Sequence, residues 1–171
     1  MTLYLYTSVP EISSYMNNSI IERKINIYIK YLYEALQLLP NYENEVYIGI
    51  NNPFDRNLFL INNQISWSTF MSSSSLWKVA VESASEFTEK KRGTIFIIKS
   101  KTGKFIGQYS QYTYDAEVIF APNTKFIVKN WYMGDVIALG QSNIRESTFK
   151  IKDIDKMINS NDSLIIELEQ L

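Results

Sequence analysis

Gly103–Val128 reads GKFIGQYSQYTYDAEVIFAPNTKFIV. It places two carboxylates, Asp115 and Glu117, two residues apart at the start of an apolar run, directly after Tyr109, Tyr112 and Tyr114. In an extended chain residues i and i+2 point to the same side. The spacing therefore predicts both acids facing one cleft with aromatic rings beside them. Such a site suits a substrate on which positive charge develops. An acid-x-acid pair alone is more often a solvated strand start, so its neighbours have to decide.

The flanks predict strands at Lys104–Tyr109, Glu117–Phe120 and Lys125–Asn130, separated by the turn residues Thr102–Gly103 and Pro122–Asn123. Further strands are expected at Glu45–Ile50, Asn57–Ile61, Ile65–Phe70, Thr94–Lys99, Val136–Leu139, Phe149–Ile151 and Leu164–Leu168. Helices occupy the first quarter. Pro10 suits the first turn of a short one, and Ile25, Ile29, Leu32, Leu36 and Leu39 form one apolar stripe that Pro40 ends. Between the strands, Ser74 or Ser75 caps a helix running to about Glu89 with Trp77 and Val81 inward. The expected class is α+β in one domain over residues 1–171, helical at about 9–40 and β-rich at about 45–171.

Composition removes whole classes of chemistry. The 171 residues are 46% hydrophobic and 14% aromatic, which is a folding composition, and they contain neither cysteine nor histidine. Disulfides, Cys/His zinc sites and imidazole-dependent triads are excluded. Chemistry must rest on carboxylates, hydroxyls, lysine, arginine, tyrosine or a bound co-substrate. A net charge of −1 gives no field for nucleic acid. No stretch approaches the roughly 20 apolar residues of a membrane span, and Met1–Tyr6 lacks the form of a signal peptide. The chain reads as soluble, compatible with a cytoplasmic location, and begins on its first element as a domain of a longer chain would. Nothing in the pattern points to a metal.

Two upstream segments join the acid pair. Trp67–Ser75 is a serine-rich junction before a helix; an N-cap explains one of its serines and leaves the others without a role. Glu45–Val–Tyr–Ile–Gly–Ile50 is a strand interrupted by Gly49, and a strand glycine marks close approach of backbone or ligand. With Tyr6–Thr7 at the start, Val46–Tyr47–Ile48–Gly49, Phe70–Met71–Ser72–Ser73–Ser74, Gly103–Lys104–Phe105–Ile106, Tyr109–Ser110, Asp115–Ala116–Glu117–Val118 and Pro122–Asn123–Thr124–Lys125–Phe126 follow in order. This series resembles the mono-ADP-ribosyltransferase superfamily, in its arginine-type group with an Arg-Ser-Glu motif. The resemblance spans about Leu3 to Trp131.

The resemblance implies two small packed sheets forming an NAD cleft, and transfer of ADP-ribose from NAD to a protein side chain with release of nicotinamide, as in effector- or toxin-like enzymes. It implies that Glu117 stabilises an oxocarbenium-like transition state. Opposite charges about 4 Å apart at an effective dielectric near 20 are worth roughly 4 kcal/mol, about a thousandfold in rate. Ser72 would orient Glu117, Gly49 would let the backbone approach nicotinamide, and Ser72, Ser73 and Ser74 would line the cofactor side with Ile48. Asp115 would choose the acceptor, a carboxylate favouring a guanidinium, with Tyr112 or Tyr114 stacking on it. The departure is Ile48, where the family carries arginine. A lost charge-assisted hydrogen bond costs about 1.5–3 kcal/mol. The resemblance thus leaves two functions: an arginine-modifying transferase, or a catalytically silent fold that binds a nucleotide or a protein.

Overall fold

Leu32 and Leu36 are 4% and 1% exposed on the first described helix, α1 (Ser19–Gln37), and that burial is what holds it to the rest of the chain. They pack with Ile106, Ile119 and the partly buried Leu39 and Phe70. Burying each leucine stabilises by about 1.5–3 kcal/mol. The last turn tightens through Leu38 N–H to Ala35 O and Leu39 N–H to Leu36 O, and Pro40 cannot continue it. Lys104 Nζ then donates to Leu39 O at 2.7 Å and to Asn41 Oδ1 at 2.8 Å. A cation just past the C-terminus of a helix also meets the negative end of its dipole. This computed structural model describes residues 19–51, 59–85, 93–134 and 163–171.

The strands are β1 (Asn41–Tyr42), β2 (Glu45–Ile50), β3 (Gln64–Ser66), β4 (Met71–Ser74), β5 (Thr94–Lys99), β6 (Gly103–Phe105), β7 (Glu117–Phe120), β8 (Lys125–Gly134) and β9 (Ser163–Gln170). Helix α2 (Trp77–Ser85) lies between β4 and β5. The order across the sheet is β1-β6-β7-β4-β2-β5-β9-β8-β3. Among the described residues only β5–β9 is parallel; β9 carries the run Leu164–Ile165–Ile166, buried throughout because β5 and β8 flank it. Val46, Phe96, Ile98, Val118, Phe120, Phe126, Val128, Ile166 and Leu168 form the main core.

The α+β class is as the sequence implies, but the expected two sheets are joined. The ladder from β4 to β2 has one register pair, Tyr47↔Ser74, against six between β2 and β5. The two halves therefore meet at a single rung. Gly49 sits just past it, and its need for glycine is packing: a Cβ there would lie 1.8 Å from Ala80 O on α2. Tyr47 stacks edge-on against Trp77 of the same helix, with ring centroids 5.3 Å apart.

Several expected strands differ. Lys104–Tyr109 is a strand only to Phe105, because Gly107–Tyr109 turns into a 3-10 segment. Asn62, at φ 71°, makes a turn just after the expected strand Asn57–Ile61, and the described part of that stretch, 59–61, is not a strand. Ile65–Phe70 divides into β3 and the approach to β4, so the serine-rich junction is itself a strand. The expected elements near Pro10, Val136–Leu139 and Phe149–Ile151, the Tyr6–Thr7 segment, and the end of the helix toward Glu89 lie outside the described residues.

Candidate active site

β4 and β7 run antiparallel with Ser72↔Ile119, Ser73↔Val118 and Ser74↔Glu117 in register. Side chains opposed across a ladder share a face, and diagonal neighbours on that face remain in reach. Ser72 uses the diagonal: its Oγ donates to Glu117 Oε1 at 2.5 Å. The remaining serines bond to main chain. Ser73 Oγ donates to Val118 O at 2.7 Å, Ser74 Oγ to Asp115 O at 2.6 Å, and Ser75 Oγ to Ala116 O at 3.3 Å, alongside Ser75 N–H at 3.1 Å. Four consecutive hydroxyls thus fasten one stretch, Asp115–Val118. A serine run can persist as a strand because these bonds replace the apolar contacts it lacks.

The acid pair is not built by alternation in a strand. Asp115 ends a 3-10 turn, Thr113–Asp115, and Ala116 adopts the left-handed conformation at φ 45°, ψ 51°. Only Glu117 lies in β7. The turn is closed by Asp115 N–H to Tyr112 O and Ala116 N–H to Thr113 O. The two acids still feel each other. Burial pushes the Glu117 carboxyl up, the Ser72 hydrogen bond partly offsets this, and the Asp115 charge adds to the rise. Asp115 is itself raised by burial and then by the charge of Glu82 on α2. A carboxylate held reluctantly ionised in a fixed rotamer is suited to stabilise a transient cation.

Tyr112 and Tyr114 stand beside Asp115 with ring centroids 5.9 Å apart, and Tyr114 is 69% exposed. They leave aromatic surface open to an incoming group. Ser73 and Ser74 are buried and their hydroxyls are directed to carbonyls, so they hold the acid turn. Ile48 faces the core with Phe96 as its register partner. Alternation along β2 puts Tyr47, not Ile48, in line with Ser74 and Glu117. The structure therefore joins Ser72, Glu117 and Asp115 and spends Ile48 on apolar packing. Ser75, Ala116 and Glu82 are additions; a fourth serine in the run pointed to the first, and no residue pattern marks an alanine for the left-handed region.

Among the described residues no group of three or more Asp or Glu could hold a metal ion, and no helix is long and apolar enough to cross a membrane. No curated protein matches the chain by sequence. In fold it is similar to the Vis toxin of Vibrio splendidus, an ADP-ribosyltransferase, at 19% identity and TM-score 0.67, covering 99% of this chain and 71% of that one. A Vis structure in complex with agmatine aligns at 20% identity and TM-score 0.61, over 99% and 67% of the two chains. The SpvB ATR domain of Salmonella aligns at 20% identity and TM-score 0.62, over 99% and 96%. Residues 2–143 match the family model for NAD:arginine ADP-ribosyltransferase, whose reaction takes NAD as co-substrate. A match over most of the sequence goes further than likeness of fold: the chain belongs to the NAD:arginine ADP-ribosyltransferase family.

Proposed function

We propose that this chain transfers ADP-ribose from NAD to the side chain of a protein arginine. The observation that carries the reading is the Ser72–Glu117 hydrogen bond at 2.5 Å, inside the matched region. In the proposed reaction the bond between the ribose C1′ and the nicotinamide nitrogen breaks, and its electron pair leaves with nicotinamide. Glu117 stabilises the cation left on the ribose. A guanidinium nitrogen then forms the new bond to C1′ and gives up a proton, for which Asp115 is the adjacent base. Asp115 and the exposed Tyr112 and Tyr114 supply a carboxylate and ring faces, the two groups that bind a guanidinium. The agmatine bound by the Vis structure, a guanidinium compound, supports the same acceptor class. NAD hydrolysis is the accompanying reaction when water takes the place of arginine.

One observation favours a second reading. Ile48 contributes packing and no charge, so a phosphate-binding arginine is missing from this strand. On that reading the chain is a silent member of the family that binds a nucleotide or a protein partner. Incubation with NAD and agmatine, with nicotinamide quantified by chromatography against Glu117→Ala, separates the two. Release above the control supports the transferase. Coincident traces favour the silent fold.

A further inference from the structure

We infer that Ser74 is a positioning residue for the acceptor-side acid, fixing the turn that carries Asp115 while Ser72 separately orients Glu117. The inference rests on the transferase reading for its consequence, not for its geometry.

The Ser74 hydroxyl has both of its roles filled. Its oxygen accepts from Leu76 N–H at 2.9 Å, just before α2, and its one hydrogen goes to Asp115 O at 2.6 Å. The residue is 4% exposed, so water does not readily take its place. It lies directly opposite Glu117 in the ladder, yet it bonds back across the turn to Asp115. The turn needs such a tie. A left-handed alanine costs about 1–2 kcal/mol, and Ala116 is the hinge that lets Asp115 leave the strand direction. Ser74 and Ser75 hold the carbonyls on either side of that hinge's N–H: those of Asp115 and of Ala116 itself. Ser72 bonds to the Glu117 side chain and does not depend on either tie. The donor-side and acceptor-side acids thus have different anchors on one strand. Loosening Ser74 should misplace Asp115 and its neighbours Tyr112 and Tyr114 more than Glu117.

The test compares the unaltered chain with Ser74→Ala and Ser74→Thr, using NAD alone and NAD with agmatine. Transfer to agmatine should fall about tenfold further than NAD hydrolysis in Ser74→Ala, the loss of one buried hydrogen bond. The excess loss should appear in kcat/KM for agmatine rather than in KM for NAD, and Ser74→Thr should restore it by keeping the hydroxyl. Equal losses in both reactions, or none, would overturn the inference. A chain that releases no nicotinamide would instead defeat the transferase reading, and a second measurement then still decides. Amide hydrogen exchange should quicken about tenfold at Asp115 and Ala116 in Ser74→Ala, with the β7 amides unchanged and the threonine variant reverting. Unchanged exchange in the turn would overturn the positioning role whether or not the chain is active.

Discussion

Replacing Ser72 by alanine isolates what orientation of Glu117 contributes. The bond removed is short, 2.5 Å, and its acceptor is a carboxylate. Hydrogen bonds to charged groups are worth about 1.5–3 kcal/mol net, so the range of loss is about tenfold to a hundred-and-fifty-fold in rate. Ser72 is exposed, so water can partly replace its hydroxyl. The lower end, about tenfold, therefore applies. The pH profile gives a second reading. The Ser72 hydroxyl favours the ionised Glu117, opposing the rise caused by burial and by Asp115. Its removal raises the carboxyl further, and activity that needs the anion is lost at a higher pH on the acid side. The assay is initial-rate nicotinamide release from NAD across pH. A lower plateau together with an acid limb displaced toward alkaline pH is expected. A limb that stays in place would refute the claim that this hydroxyl supports the charge on Glu117.

Glu117→Gln should cut nicotinamide release by about a thousandfold, the worth of roughly 4 kcal/mol between opposite charges in a partly dry site. The same change should raise stability near neutral pH: the folded Glu117 binds its proton more tightly than the unfolded one, so stability is lost as pH rises from the ordinary carboxylate range through the raised folded value. Denaturation midpoints of the two proteins should converge at acid pH, below both values; a gap that persists there would contradict the sign. Gly49→Ala drives a Cβ to 1.8 Å from a backbone oxygen of α2 and should destabilise by at least about 1–3 kcal/mol in urea unfolding; an unchanged midpoint would show that α2 does not approach so closely. Ile48→Arg should lower the urea midpoint, because the side chain packs against the main core on the strand face opposite to the one in line with Glu117; an unchanged midpoint would show that residue 48 can leave that packing freely.

Much of the sheet was legible because burial writes a simple pattern. Glu45–Ile50 and Thr94–Lys99 are strands over the ranges their apolar runs predict, and β9 extends the expected Leu164–Leu168 at both ends. The stripe through Leu32 and Leu36 likewise named the helix face that is buried. The serine run was legible as an anomaly and not as a strand, since its partner carbonyls are about forty residues away in sequence. The left-handed Ala116 had no local signal at all, because alanine gains nothing there and only the tertiary hydrogen bonds hold it. Asp115 and Glu117 are neighbours for that reason, and not through the alternation that spacing alone suggests.

The energetics of the acid turn explain why one serine would not suffice. Ala116 costs about 1–2 kcal/mol in the left-handed region, and Glu117 adds a penalty of its own as burial and Asp115 both oppose its ionisation. A single net hydrogen bond contributes about 0.5–1.5 kcal/mol, which at best matches the backbone cost alone. Three main-chain-directed hydroxyls, from Ser73, Ser74 and Ser75, exceed that cost together, with the bond at 3.3 Å the weakest of them. Ser72 is then left for the side chain of Glu117. The division follows from what each hydroxyl already holds: Ser74, directly opposite Glu117, is engaged with Asp115 O and Leu76 N–H, which leaves the diagonal Ser72 on the same face for the carboxylate. A strained turn that carries two acids of different duty thus requires a polar strand beside it, and β4 has the composition this demands.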